Sequence, residues 1–257
     1  AVVHAAAQVA VTTSLIDPKT DYEVNATGTF NVLEAARKTN TNPAVIYAST
    51  NKVYGGNVNK IPLKETAKRY TFRGKYAKGI PEDFPIDHSE HTPYGASKLA
   101  GDLYTQEYAH TYGLKTGVFR MSCIYGPRQF GVEDQGWLAW FTIATTTDQP
   151  LTIYGDGKQV RDVLHVHDLV KAYHSFLRRT SLRTEVFNIG GGPRNTLSLL
   201  ELLSMLHKYT GKKTKVRYSD WRPTDQKVYI SDITKAKKAL HWQPAIDARR
   251  GVQELLN

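Results

Sequence analysis

Apolar, β-branched runs alternate with amphipathic stretches from one end of this sequence to the other, and that alternation limits the fold more than any other feature. Runs rich in Val, Ile and Phe occupy 1–4, 44–48, 116–120, 151–154, 160–166 and 185–189. Between them, apolar residues recur with helical period at 20–39, 93–112, 135–147, 168–179, 198–210 and 232–240. Strands that are apolar on both sides need cover on both faces. The pattern therefore predicts an α/β fold with a doubly wound, mostly parallel sheet. Ligands of such sheets sit beyond the C-terminal strand ends, which directs attention to 5–8, 49–55 and 122–129. The stretch 55–92, punctuated by Gly55, Gly56, Pro62, Gly74, Gly79, Pro81 and Pro85, reads as irregular. A loop of that length in a compact domain is usually functional, so a lid or specificity loop is expected there.

Composition removes several classes of function. With 257 residues, 40% of them hydrophobic and 11% aromatic, the chain can bury a large core. Its formal net charge is +10, yet the basic residues are scattered and no nucleic-acid-binding motif accompanies them. The expected partners are phosphate-bearing ligands and not nucleic acid. No apolar run approaches 18 residues, so no membrane partner is expected. The single cysteine, Cys123, excludes an intrachain disulfide and suits a reducing compartment such as the cytoplasm; it reads as a small buried hydrophobe. His165 and His167 share a strand face but have no third ligand at metal spacing, so no metal is expected. Trp137 and Trp140, three apart, are expected to pack one helix face.

The sharpest local signal is TPYGASK at 92–98. Thr92 and Pro93 suit an N-cap and first helical turn, which puts Tyr94 and Lys98 four apart on one helix face. A phenol is a weak base at neutral pH, but a neighbouring ammonium favours the phenolate. Such a pair can take the proton from a hydroxyl whose carbon is being oxidised. Upstream, Ser49, Thr50 and Asn51 end a strand and offer hydroxyls to the same oxygen, while HAAAQ (4–8) places small residues where a ribose and a flat ring need close approach. Asn25 and Gly28 sit within a helical pattern, where both cost stability and suggest packing or polar bridging.

Taken in order, HAAAQ, NATGTFNVLEAA (25–36), IYASTNKVYG (46–55) and TPYGASK resemble the extended short-chain dehydrogenase/reductase family of sugar-nucleotide enzymes. VRDVLHVHDL (160–169), FNIGGG (187–192) and 222–244 are similar to it as well, so the resemblance covers essentially the whole chain. It implies NAD as cofactor, a nucleotide sugar as substrate and a homo-oligomer for the full-length enzyme. It assigns Thr50, Tyr94 and Lys98 as catalytic hydroxyl, base and electrostatic partner. Ala5, Ala6, Gln8, Asn25, Tyr94, Lys98 and Ser122 are expected at the cofactor. Thr50, Asn51, Arg128, Gln129, Arg161 and Arg222 are expected at the substrate, the guanidinium forks suiting a diphosphate. Where the family's 4,6-dehydratases carry Asp-Glu, this chain has Asn51-Lys52, so elimination of water lacks its acid and base. With the insert around RYTFRGKY (69–76) and the segment 119–141, this is most similar to the branch that inverts C2 of a CDP-linked deoxyhexose. A 4-epimerase of the same family and a non-catalytic binding module are the alternatives.

One family element is missing from the sequence. A dinucleotide-binding unit opens with a strand, a glycine-rich turn and a helix. The clusters at Gly190–Gly192, Gly155–Gly157 and Gly126–Gly131 all lack the required spacing or partner. With no initiator Met, the chain is expected to begin at the family's fourth strand. It would then lack a first βαβαβ half on the order of 70 residues and bind NAD poorly. On that basis 1–120 is expected to be a truncated NAD-binding domain carrying the catalytic residues. The remainder, 121–257, is expected to bind mainly the sugar nucleotide, with about 160–190 returning to the sheet.

Overall fold

Every strand and helix expected from the alternation is present in the computed structural model, which describes residues 1–222 and 224–256. The chain runs β1 (Val2–His4), α1 (Val11–Ile16), α2 (Pro18–Tyr22), a π-turn (Glu23–Thr27) and α3 (Gly28–Lys38). It continues through β2 (Val45–Thr50), a 3-10 segment (Asn51–Lys60), the hairpin β3 (Leu63–Glu65) and β4 (Tyr70–Phe72), and α4 (Pro93–Tyr112). Next come β5 (Thr116–Met121), β6 (Cys123–Tyr125), α5 (Trp137–Thr146), β7 (Leu151–Tyr154), β8 (Val160–His165) and α6 (Val166–Arg178). The chain then forms β9 (Thr184–Ile189), β10 (Thr196–Ser198), α7 (Leu199–Thr210), β11 (Val216–Ser219) and β12 (Val228–Tyr229). It closes with α8 (Thr234–Leu240) and α9 (Ala248–Leu256).

The central sheet is parallel throughout, in the order β1-β2-β5-β9. Successive side chains of a strand point to opposite faces, and the two faces are buried by different helices. Ile46, Phe119, Phe187 and Ile189 pack under α6 and α8. Val45 packs with Leu33 of α3 and Tyr108 of α4 on the other side. This is the doubly wound arrangement.

Two expectations change. The segment about 160–190 returns to the central sheet only in part: β9 joins it, whereas β8 pairs with β6, β10 and β12 in a separate sheet. The stretch 55–92 is more ordered than its glycines and prolines suggest, with 3-10 turns and the β3–β4 hairpin before an irregular 79–92. Val58, Ile61, Tyr70, Phe72, Ile80 and Phe84 form a core of their own with Val160, Val228 and Tyr229. Its glycines and prolines break the apolar periodicity while leaving enough buried surface to fix it in place.

Helix α4 starts as its sequence predicts, with the Thr92 hydroxyl accepting from Gly95 N at 3.2 Å. It lies unusually close to β2. A Cβ at Gly101 would stand 2.4 Å from the Tyr47 hydroxyl, so only glycine allows that approach. The helix is then pinned by a buried ion pair. Arg120 of β5 donates from Nε to Asp102 of α4 at 2.9 Å and from the guanidinium terminus at 3.1 Å. Ser49 of β2 donates to the same carboxylate at 2.7 Å.

The Asp102 and Arg120 side chains are 0% and 6% exposed. Removing one partner strands the other charge, which typically costs about 3–5 kcal/mol. Arg120→Met is therefore expected to lower the stability of the protein by that order, read as a drop in the urea midpoint at unchanged m-value. A shift within error of wild type would show that the pair does not hold the helix.

Candidate active site

Beyond the C-terminal ends of β1, β2 and β5 opens a cavity of about 640 Å³. Its wall includes Ala5 and Ala7 after β1, Thr50 to Lys52 after β2, Tyr94 and Lys98 from α4, and Ser122 after β5. Arg128, Gln129, Arg161 and Arg222 line the same cavity. The rule for ligands of parallel sheets and the motifs in the sequence thus lead to one place.

At the strand end, Thr50 caps the 3-10 segment, accepting from Lys52 N at 3.3 Å. Its hydrogen bond with the Tyr94 phenol favours the phenolate, against the burial and the Asp21 carboxylate that push the phenol's pKa up. The Lys98 ammonium, expected to supply this help to Tyr94, lies 4.3 Å over the Tyr47 ring. Burial pushes Lys98 down to about 8, although Asp102 and Asp21 pull it back. The hydroxyl of Thr50 is therefore the group that moderates Tyr94.

Asp21 was not singled out in the sequence, where it looks like a surface acid in an amphipathic helix. It is fully buried. Gln8 Nε2 and Asn25 Nδ2 donate to one of its oxygens at 2.8 and 3.2 Å, and the Ser97 hydroxyl donates to the other at 2.5 Å. Gln8 and Asn25 also clasp each other through backbone and amide at 2.9 and 3.0 Å. Of the residues expected at the cofactor, Ala5, Tyr94, Lys98 and Ser122 line the cavity. Ala6, Gln8 and Asn25 do not. Gln8 and Asn25 instead brace the segment after β1 against α4, with Asn25 inside the π-turn. The single extra residue of such a turn turns a polar side chain inward, an event that a 3.6-residue periodicity cannot reveal.

All six residues expected at the substrate line the cavity. Arg161 donates to Asp225 at 2.7 Å with its side chain only 12% exposed, so it is not a solvated surface pair. Arg222 pairs with Asp134 at 2.7 Å and lies 4.0 Å over the Tyr154 ring. Asn51 donates to Gln226 at 3.4 Å. Glu133, the third carboxylate of the wall, accepts from Tyr154 at 2.8 Å. Asp225 is a wall residue to which the sequence had assigned no part, while Lys52, Asp134 and Cys123 line the cavity as well.

The remaining signals have structural explanations. Trp137 donates to the Cys123 thiol at 3.3 Å, and burial pushes that thiol up. Trp137 and Trp140 both pack against the core formed by α5, α7 and α9. His165 caps α6 by accepting from His167 N at 3.3 Å. Among the described residues no group of three or more His, Cys, Asp or Glu could hold a metal ion, and no helix is long and apolar enough to cross a membrane.

The family described as GDP-mannose 4,6 dehydratase matches residues 1–255 of this chain. The CDP-paratose 2-epimerase of Salmonella typhi is 45% identical over 98% of the chain, a match that spans 75% of that relative. The UDP-glucose 4-epimerase of Thermotoga maritima, solved with UDP-glucose, superposes with a TM-score of 0.82 at 31% identity. That superposition covers 99% of this chain and 75% of the other. The Thermus thermophilus UDP-glucose 4-epimerase, solved with NAD, gives 0.81 at 29% identity over 99% and 75% of the two chains.

The buried ammonium yields a pH prediction. Lys98 is charged below about pH 8 in the folded protein, whereas an unfolded chain keeps the proton to about 10.5. Between those values the unfolded chain holds more protons, so the Lys98 contribution to stability rises with pH over that window. Observed by NMR after 13C-methylation and assigned with Lys98→Met, this lysine is expected to titrate near pH 8. A midpoint shared with the surface lysines would contradict the burial argument.

Proposed function

The chain belongs to the GDP-mannose 4,6 dehydratase family, within the extended short-chain dehydrogenase/reductases, and on that premise we propose that it inverts C2 of a CDP-linked deoxyhexose, converting CDP-paratose to CDP-tyvelose. The observation that carries this reading is the meeting of Thr50, Tyr94 and Lys98 with Arg161 and Arg222 in the lining of one cavity. Similarity to a CDP-paratose 2-epimerase at 45% identity favours C2 and cytidine.

NAD, the cofactor of this family, fits the near side of the cavity in part. Ala5 and Ala7 leave room for a flat ring, and Tyr94, Lys98 and Ser122 offer donors to a ribose. The sequence contains no glycine-rich strand–turn–helix for the pyrophosphate. When bound, NAD supplies a reversible hydride acceptor, so the net redox change is zero.

The residues of the chain handle the proton and the orientation. Tyr94, as phenolate, accepts the proton of the C2 hydroxyl while Thr50 holds the same oxygen by a hydrogen bond. The Lys98 charge favours the phenolate once the site is closed to water. The resulting ketone turns its other face to the reacting side, and Tyr94 returns the proton to its oxygen. Dehydration is disfavoured because Asn51-Lys52 replaces the Asp-Glu pair and the carboxylates of the wall are engaged. Asn51 is an amide, and Asp225, Asp134 and Glu133 are already bonded to Arg161, Arg222 and Tyr154.

Incubation with NAD and CDP-paratose, followed by NMR of the separated sugars, is expected to show inversion at C2. A 4-epimer would assign the chain to the branch represented by the Thermotoga maritima enzyme, and no change with any nucleotide sugar would leave a binding module. Tyr94→Phe is expected to reduce turnover by about 10²–10⁴-fold, the usual worth of a positioned acid–base group. Near-normal turnover would remove Tyr94 from its role.

A further inference from the structure

Lys52 is a cation on the cavity wall whose ammonium has no hydrogen-bonded partner among the described residues. Its backbone is fixed on both sides. Lys52 N donates to Thr50 Oγ1 at 3.3 Å, and its carbonyl packs so tightly on α4 that a Cβ at Gly95 would stand 3.0 Å from it. The side chain leaves this fixed point to line the cavity. Among the described residues its ammonium makes no hydrogen bond and no ion pair. The wall carboxylates that might neutralise it are committed elsewhere, Asp225 to Arg161 and Asp134 to Arg222. Burial pushes Lys52 below the ordinary lysine range, Asp225 draws it up and Arg161 pushes it down. Lys52 is half-buried, and an ammonium partly withdrawn from water without a carboxylate of its own favours a ligand that supplies the countercharge.

Its place along the wall says which countercharge. Its backbone N–H is tied to Thr50, the hydroxyl assigned to the reacting carbon, and its ammonium feels the charges of Asp225 and Arg161. A nucleotide sugar lying across this wall presents, between the reacting carbon and the nucleoside, the phosphate that carries the sugar.

We propose that Lys52 binds the sugar-proximal phosphate of a nucleoside diphosphate sugar and thereby sets which ring carbon reaches Thr50 and Tyr94. The inference rests on the reading of the site as a nucleotide-sugar epimerase. A cation two residues from Thr50 holds the phosphate close to the reacting position. That register selects the carbon next to the anomeric centre, C2, over the one across the ring. An ammonium suits this task because it is a compact point charge that follows a phosphate oxygen without demanding a planar geometry.

The test compares ligands that differ only in that phosphate. Binding of CDP and of CMP is measured by calorimetry on the NAD-loaded protein, for wild type, Lys52→Met and Lys52→Arg. Lys52→Met is expected to weaken CDP by roughly tenfold or more, the worth of one charge-assisted contact, and to leave CMP unchanged. Lys52→Arg, which keeps the charge, is expected to recover most of the CDP affinity; its failure to do so would count against a phosphate contact. Equal weakening of CDP and CMP, or no weakening of either, would overturn the assignment. Should Lys52→Met fold poorly, the Lys52→Gln variant takes its place in the same comparison. If wild type binds neither CDP nor UDP, the epimerase reading itself fails. If wild type binds CDP and the variants bind it equally well, only the role of Lys52 fails.

Discussion

The buried pair between Asp102 and Arg120 decides where the 20-residue helix α4 stands on the sheet, and everything proposed for the site follows from that position. The pair joins α4 to β5, and Ser49 extends it to β2. Three elements distant in sequence thus share one desolvated carboxylate. Such a pair adds little net stability compared with a well-packed apolar substitute. Its value lies in geometry: a charge in low dielectric tolerates few alternative positions. Gly101 lets the helix come close enough for the pair to form. Lys98, one turn before Asp102, is delivered over the Tyr47 ring, and Tyr94, one turn earlier, reaches Thr50.

A second carboxylate, Asp21, acts from the other side of the same helix. Its donors Gln8, Asn25 and Ser97 come from three segments, so it ties the chain after β1 and the π-turn to α4. It also has an electrostatic consequence. Asp21 and Asp102 both raise the pKa of Lys98 against the burial that lowers it, while Asp21 makes the Tyr94 phenolate harder to form. Below about pH 8 the site therefore holds Tyr94 protonated and Lys98 charged. A bound cation near Tyr94 would reverse the first of these, which couples the readiness of the base to occupation of the cavity.

Much of this was legible in the sequence, for identifiable reasons. Thr92 and Pro93 mark the start of α4 through local chemistry alone, and the strands of the central sheet declare themselves because they are apolar on both sides. The strands of the smaller sheets were harder. The run containing β8 resembles a central strand, yet β8 pairs with β6, β10 and β12, because pairing partners are chosen by tertiary packing that no single run encodes. In 55–92 the glycines and prolines hid a core whose apolar residues recur with neither period. Asn25, read as a cofactor ligand, turned out to be a brace. Its orientation depends on one extra residue in a helical turn, and its partners Gln8 and Ser97 lie far away in sequence. Asp21 was invisible for the same reason, since an acid in an amphipathic helix is ordinarily solvated.

On the proposed reading, inversion needs the sugar to move while the rest of the ligand stays held, because hydride would leave and return on one fixed side and the carbon would present its two faces to that side in turn. One part of the cavity is built on α4 and the ends of β2 and β5, held by Asp102 and Asp21. Its lining also carries the cations Arg161 and Arg222, each already oriented by a carboxylate and a neighbouring backbone or ring. Guanidinium groups oriented in advance lose little further freedom when a diphosphate arrives. On the proposed reading they anchor the nucleotide end firmly enough for the sugar to rotate without leaving. A site with free carboxylates beside the ring would give the transient ketone a second fate, loss of water. On the proposed reading, the amide of Asn51 and the bonded state of Asp134, Asp225 and Glu133 disfavour that route, and return of the proton by Tyr94 is the favoured exit.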